Sequence, residues 1–362
     1  MKDIERMSTD RIILSDLLED VNQRTSRAVT SVLGLKNNAL AQWLSSQTSR
    51  APGSEGSFLA DPVIEATFGW EESSATMDSL SGRLLESSLV DAMDNPPKEL
   101  AADYRFAKHW HPYNHQLNAW ETLLSENWKS TIVSSGTGSG KTECFLVPIL
   151  SDLARQAASA RGPIEGVQAI FLYPLNALIN SQRERLRAWT ADFDGAIRYC
   201  LYNGETPKLA KPTFSEEVAC RKILRESPPP VLVTNSTMLE YMLVRQEDHP
   251  IIQKSQGQLR WIVLDEAHSY IGSMAAELTL LLRRVMHAFN VDPKDVRFVA
   301  TSATIGEDTD EDNRKLIQFL AGVSGTREEN IRVIRGKRTV PEIPASTADD
   351  DTDLAKELPR LS

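Results

Sequence analysis

From about residue 130 onward, short apolar runs alternate with segments of helical periodicity, and this alternation restricts the fold more than any other feature of the chain. Thr131–Ser134 precedes a helix through Leu153, and Gln168–Tyr173 precedes Leu175–Trp189. Ala196–Tyr202 follows, then Val231–Thr234 with a helix through Val244, then Trp261–Leu264 with Ala275–Phe289, and finally Val296–Ala300 and Ile331–Ile334. Strands and helices in alternation build parallel βαβ units with both sheet faces covered. The expected fold is α/β, a doubly wound and mostly parallel sheet with ligands at the carboxyl ends of its strands. Thr237-x-x-Glu240 predicts a capping box at one helix start, and Ser273 predicts the cap of another.

The first hundred residues read differently. Ile13, Leu14, Leu17, Leu18, Val21, Ala28 and Val32 recur at three- and four-residue spacing, the pattern of an amphipathic helix behind Ser8, Thr9 or Asp10. A short helix is expected around Asn38–Trp43, a loop over Ser45–Ser57, and another helix near Ser79–Met93 that Asn95-Pro96-Pro97 ends. Fifty acidic against forty basic residues give a net charge of −10, which at first sight speaks against a nucleic-acid binder. The charge is unevenly spread: residues 1–105 hold 10 basic and 17 acidic side chains, 106–345 hold 28 of each, and 346–362 hold 2 and 5. The expected organisation is therefore a mainly helical accessory or docking region over 1–105, the α/β domain over 106–345 and an acidic linker or tail over 346–362. With 41% hydrophobic and 25% charged residues the composition is that of an ordinary globular protein. No run approaches the roughly 18 apolar residues of a membrane span, the N-terminus lacks a signal-peptide core, and a cytoplasmic location is expected. Cys144, Cys200 and Cys220 are too scattered for a disulfide framework or a zinc ribbon.

The chemistry sits at the strand ends. Ser134-Ser135-Gly136-Thr137-Gly138-Ser139-Gly140-Lys141-Thr142 follows the first strand and opens a helix, matching the phosphate-binding loop G-x-x-x-x-G-K-[ST] with Ser135 at the first glycine position. Glycines 136, 138 and 140 let main-chain N–H groups approach phosphates, together with Thr137 and Ser139. Lys141 reaches the β- and γ-phosphates and Thr142 offers its hydroxyl to Mg²⁺. Asp265 and Glu266 stand at the tip of the apolar strand Trp261–Leu264, where Asp265 would hold the metal and Glu266 would polarise an attacking water. ATP and Mg²⁺ are the expected cofactors.

Asp265-Glu266-Ala267-His268 with Ser302-Ala303-Thr304 resembles motifs II and III of the superfamily-2 DEAH-box helicases, whose motor domains are RecA-like. The resemblance implies that His268 and Ser302, Ala303 and Thr304 couple the nucleotide to the rest of the domain. Pro112-Tyr113-Asn114-His115-Gln116 resembles the adenine-reading Q motif, so Gln116 is expected to bond the base. Tyr173–Gln182, Asn203–Thr206 and Val233–Met238 resemble the family's motifs Ia, Ib and Ic, which implies strand contacts from Pro174, Asn176, Gly204, Thr234 and Asn235. Contacts of that kind use amides and small polar groups and do not require a basic composition. Tyr-Pro-Leu-Asn-Ala-Leu, Thr-Asn-Ser-Thr-Met-Leu-Glu-Tyr-Met and Asp-Glu-Ala-His-Ser-Tyr-Ile-Gly look most like the large bacterial DEAH-box helicases of mitomycin repair and of the Druantia and DISARM anti-phage islands. Phe58–Phe68 has the flavour of the leader in the longer members.

The resemblance implies an ATP-dependent helicase or translocase, with DNA favoured as its track and an RNA helicase the alternative, in phage defence or DNA repair, with no membrane partner. Such a motor needs a second RecA-like domain bearing a Gln-x-x-Gly-Arg-x-Gly-Arg type motif. Residues 306–362 carry no such run; Arg335-Gly336-Lys337-Arg338 reads as the solvent-exposed end of the last strand. The chain is therefore expected to be the first motor domain of a longer protein, or one half of a split one. Without an arginine finger, worth about 10³–10⁵ in rate, it should hydrolyse ATP very slowly alone. A non-hydrolysing ATP-binding docking module is the competing class. His109, His111 and His115 lack a cysteine or carboxylate at ligand spacing, so they read as a segment leading into the Q motif. Trp110, Tyr113 and Trp120 read as packing or adenine-side groups.

Overall fold

The computed structural model describes residues 2–55, 57, 59–60, 68–136, 138–270, 272–303 and 309–340. Thr137, Thr304, the expected tail 346–362 and most of Phe58–Phe68 lie outside the described residues. The chain divides into two compact units, Met1–Thr67 and Phe68–Ser362.

The first unit is a helical hairpin of α1 (Lys2–Val32) and α2 (Asn38–Thr48). Helix α1 runs straight through the expected caps at Ser8, Thr9 and Asp10, and α2 extends into the stretch expected to be loop. Its seam is polar. Ser26 Oγ and Thr48 Oγ1 share a 2.6 Å hydrogen bond, and Asn22 Nδ2 donates to Arg50 O at 3.1 Å. Leu17, Val21 and Val32 of the expected apolar stripe are 55%, 42% and 85% exposed.

In the second unit, α3 (Met77–Leu80), α4 (Ser87–Asp94), α5 (Ala101–Tyr104) and α6 (Asn114–Leu124) precede the sheet. Strands β1 (Ser130–Ser134), β2 (Ala169–Leu172), β3 (Tyr199–Tyr202), β4 (Val231–Thr234), β5 (Trp261–Leu264), β6 (Arg297–Ser302) and β7 (Ile331–Arg335) form it. They alternate with α7 (Lys141–Ala157), α8 (Asn176–Thr190), α9 (Arg221–Glu226), α10 (Ser236–Val244), α11 (His249–Lys254), α12 (Ser273–Ala288) and α13 (Asp310–Ser324). Every strand pairing is parallel, in the order β3-β4-β2-β5-β6-β1-β7. The period-2 alternation of a strand explains the two cores. Val133, Phe171, Val233 and Val263 point to one face with Trp120, Phe145 and Leu186. Ile132, Ile170, Leu232 and Ile262 point to the other with Leu239, Leu282 and Leu320.

Several sequence expectations need correction. The compact unit begins at Phe68, ahead of the division at 106, because Met77, Leu85, Leu89, Met93 and Leu100 are buried in the first of these cores. The expected helix near Ser79–Met93 is two helices, α3 and α4. Helix α10 is capped by Asn235, whose Oδ1 accepts from Met238 N–H at 2.8 Å, not by a box at Thr237. Ser273 is the first residue of α12 behind Gly272, so it caps nothing. Arg338 is half-buried, because Trp70 lies against it.

Candidate functional site

Strand β1 ends at Ser134, and Ser135, Gly136, Gly138, Ser139 and Gly140 lie between it and the start of α7. Gly138 (φ 73°) and Gly140 (φ 72°) hold left-handed backbone that side-chain-bearing residues rarely adopt. A Cβ on Gly140 would also collide with the Gln116 amide. Lys141 Nζ donates to Ser135 O at 2.9 Å and to Gly136 O at 3.2 Å, which holds the ammonium over the loop. Ser135 Oγ and Ser139 Oγ share a 2.6 Å hydrogen bond, so the serine at the first glycine position ties the loop's two ends together.

The start of α6 braces this loop. His115 is buried, and its Nε2–H donates to Ser139 O at 2.7 Å; burial holds its pKa below the ordinary histidine value. Gln116 accepts from Tyr113 N–H at 2.9 Å and donates to Gly140 O at 3.2 Å. Both ends of its amide are thus engaged within the protein, although Gln116 also lines the cavity. His111 Nδ1 lies 2.9 Å from Ser73 O. Trp120 is fully buried and donates to Glu143 O at 2.9 Å, a packing role.

Asp265 follows β5 and is 9% exposed. Burial pushes its carboxyl up, while a hydrogen bond from the Thr301 hydroxyl and the Lys141 ammonium pull it down. Glu266 adopts a left-handed backbone (φ 51°), and its N–H donates to the same Thr301 Oγ1 at 3.2 Å. His268 Nδ1 sits 3.2 Å from Glu266 Oε2. Ser302 is buried and accepts from Ser135 N–H at 3.3 Å, joining the end of β6 to the phosphate loop, with Ala303 next to it. The loop, Lys141, Thr142 and Glu266 open on a cavity of about 780 Å³ that Tyr113, Trp110, His109 and Arg185 also line. Left-handed glycines, an ammonium and the Glu266 carboxylate line the cavity, and the nearly buried Asp265 directly precedes Glu266, a set that fits a nucleoside triphosphate with a divalent cation.

A second group of loops crowns the carboxyl ends of β2, β3 and β4. Asn235 Nδ2 donates to Asn176 Oδ1 at 2.8 Å, and Asn203 Nδ2 donates to Asn180 Oδ1 at 3.4 Å. Pro174 and Asn235 are half-exposed, and Asn176 and Gly204 are exposed. Thr234 departs from the expectation, since its side chain is fully buried and its hydroxyl donates to Tyr202 O at 2.6 Å.

Sequence reasoning missed Thr301, Trp70 and Arg338. Thr301 directly precedes Ser302 and could have been noticed there. Trp70 had no local signal: its ring lies 4.4 Å from the Arg338 guanidinium and would touch any Cβ on Gly136.

A family model of the DEAD/DEAH box helicases matches residues 113–312, more than half of the chain. The Druantia protein DruE of Escherichia coli (strain UMEA 4076-1) is 28% identical over 342 residues, covering 68% of this chain and 18% of that protein. The uncharacterized ATP-dependent helicase YprA of Bacillus subtilis (strain 168) is 26% identical over 193 residues, covering 53% of this chain and 23% of its own length. The chain thus spans about a fifth of these relatives. Among solved structures, DEAD-box helicase Mss116 bound to ssRNA and UDP-BeF superposes with a TM-score of 0.53 at 16% identity, over 75% of this chain and 47% of that one. The DUF1998 helicase MrfA superposes with a TM-score of 0.50 at 20% identity, over 77% and 38%. Those likenesses concern the fold, which is that of a RecA-like helicase domain. No helix among the described residues is long and apolar enough to cross a membrane. By the family match, the chain belongs to the DEAD/DEAH box helicases.

Proposed function

We propose that this chain supplies the ATP-binding first motor domain of an ATP-dependent DNA helicase or translocase, working against a second RecA-like domain in phage defence or DNA repair. One observation carries the reading: on a single parallel sheet the phosphate loop and carboxylates occupy the ends of β1, β5 and β6, while polar loops occupy β2, β3 and β4. A nucleotide on the first set and a strand on the second would share one rigid platform.

In that role Gly136, Thr137, Gly138, Ser139 and Gly140 cradle the phosphates, Lys141 neutralises them, and Thr142 and Asp265 hold Mg²⁺. The cation, when bound, offsets charge on the phosphate oxygens. Glu266 accepts a proton from water, and His268 and Ser302–Thr304 pass the state of the site onward. Gln116 senses the nucleotide through its bond to the loop carbonyl of Gly140. Pro174, Asn176, Gly204 and Asn235 hold the nucleic-acid backbone, with Thr234 supporting them from below. DNA is favoured over RNA by the resemblance to repair and anti-phage helicases, and DruE's Druantia name favours defence.

ATPase assays test the reading. The chain alone is expected to show little hydrolysis and no stimulation by DNA. Reconstituted with a second RecA-like domain, it should be stimulated by DNA more than by RNA, and Lys141→Ala or Glu266→Gln should lower that rate by roughly 10²–10³-fold. Nucleic-acid-independent silence of the reconstituted protein would sink the motor reading.

A further inference from the structure

After the Gly204 turn the chain makes an excursion, residues 207–220, before entering α9. Lys208, Leu209, Ala210 and Lys211 are all exposed, Leu209 to 71%. The excursion folds back on the start of α9: Arg221 N–H donates to Pro207 O at 2.9 Å and Lys222 N–H to Lys208 O at 3.2 Å. Arg221 also reaches the turn itself, donating to Thr206 O at 3.0 Å and to Asn203 O at 3.4 Å. One arginine therefore fastens the Asn203–Thr206 turn, and the same backbone pairing sets Lys208 beside Lys222.

Lys211 and Lys222 share a shallow depression of about 410 Å³ with Leu209, Ile223 and Glu226. Glu226 is 3.9 Å from Lys222, but both side chains are about 60% exposed, so the pair neutralises little. Glu205 accepts from Asn180 Nδ2. Among the described residues Lys208 and Lys211 have no ion-pair partner.

The surface-presenting positions of the polar loops, Pro174, Asn176, Gly204 and Asn235, carry no charge. A polyanionic strand draws the salt-dependent share of its affinity from lysine and arginine, a share that amides and small polar groups do not supply, so cations beside those loops would add it. We propose that Lys208, Lys211 and Lys222 form a phosphate-binding extension of the nucleic-acid track at the β3 edge of the sheet, engaging the backbone of the strand beyond the Gly204 turn without reading its bases. The proposal rests on the reading of the polar loops as that track. An acidic protein segment would suit the same lysines, but continuity with the Gly204 turn favours phosphate.

The test titrates the full chain with a fluorescein-labelled single-stranded DNA of mixed sequence at several salt concentrations. The variants are the triple Lys208→Ala, Lys211→Ala, Lys222→Ala, then Asn176→Ala, and Lys129→Ala, whose exposed lysine precedes the opposite, amino-terminal end of β1. Each phosphate contact contributes about 0.7 to the slope of log K against log salt for single strands, so the triple variant should lose roughly 2 from that slope. Asn176→Ala should weaken binding with the slope unchanged, and Lys129→Ala should change neither. A wild-type slope in the triple variant overturns the extension and leaves the polar loops standing as the track. A reduced slope with no effect of Asn176→Ala places binding on the lysines alone and overturns the track, as does a chain that does not bind this DNA at any of the salt concentrations.

Discussion

At Asp265 two demands meet in one side chain. Burial at the tip of β5 raises its pKa from the ordinary value of 3.8, yet the cation-holding role proposed for it requires the ionised form. A raised pKa means that the folded chain binds the proton more tightly than the unfolded one. The resulting stability is complete below pH 3.8 and is lost as pH rises through the folded value, so at pH 7 the buried carboxylate is a net cost. Asp265→Asn should therefore raise Tm at pH 7 by roughly 2–4 °C, with a smaller gain near pH 4, while abolishing the ATPase activity expected of the reconstituted protein. Thermal melts at the two pH values check this, and a lower Tm at pH 7 would refute it. Asp265 and Glu266 were legible because two carboxylates directly follow an apolar strand. Thr301 was not, because its role comes from register: Val263 pairs with Val299 and Leu264 with Ala300, which sets Asp265 opposite Thr301.

Among the elements, three short segments lie side by side next to the phosphate loop. Glu71 N–H donates to Lys337 O and Thr339 N–H to Gly69 O, while Asn114 N–H donates to Glu71 O and Ser73 N–H to Pro112 O. Trp70 wedges between Gly136 and Gly336, where a Cβ on Gly336 would come within 2.8 Å of its ring. Arg338 covers that ring and donates to Phe68 O at 2.6 Å. Arg338→Ala removes a cation–π contact of about 0.5–1 kcal/mol; where that contact holds the loop in its binding form, nucleotide affinity should fall by up to about 2–5-fold with the circular dichroism spectrum unchanged. Calorimetric titration measures it, and undiminished affinity would show that the three segments do not support the loop. The seven strands were readable from their apolar runs. The brace was not, since Phe68 and Arg338 lie 270 positions apart and neither belongs to a periodic segment. Helices α6 and α13 also escaped the alternation; α6 hid behind the histidine-rich lead-in, and α13 opens on Asp310, Glu311 and Asp312, which resemble a solvated loop.

For the molecule as a whole, the proposed nucleotide site and the polar loops both lie in the unit from Phe68 onward, and among the described residues none of the α1–α2 hairpin lines the cavity. Deleting residues 1–67 should leave nucleotide affinity within about twofold and preserve a cooperative melt; a tenfold loss, or a chain that no longer melts cooperatively, would show that the hairpin supports the motor domain. Sheet class, phosphate loop and acid pair were all present in the sequence alone, because each depends on spacing between near neighbours along the chain. Strand order and the seam between nucleotide loops and polar loops were decided only by the tertiary structure. They depend on which distant strands bury one another's side chains, and β2, pairing with β4 and β5, puts the two sets of loops on opposite sides of that seam.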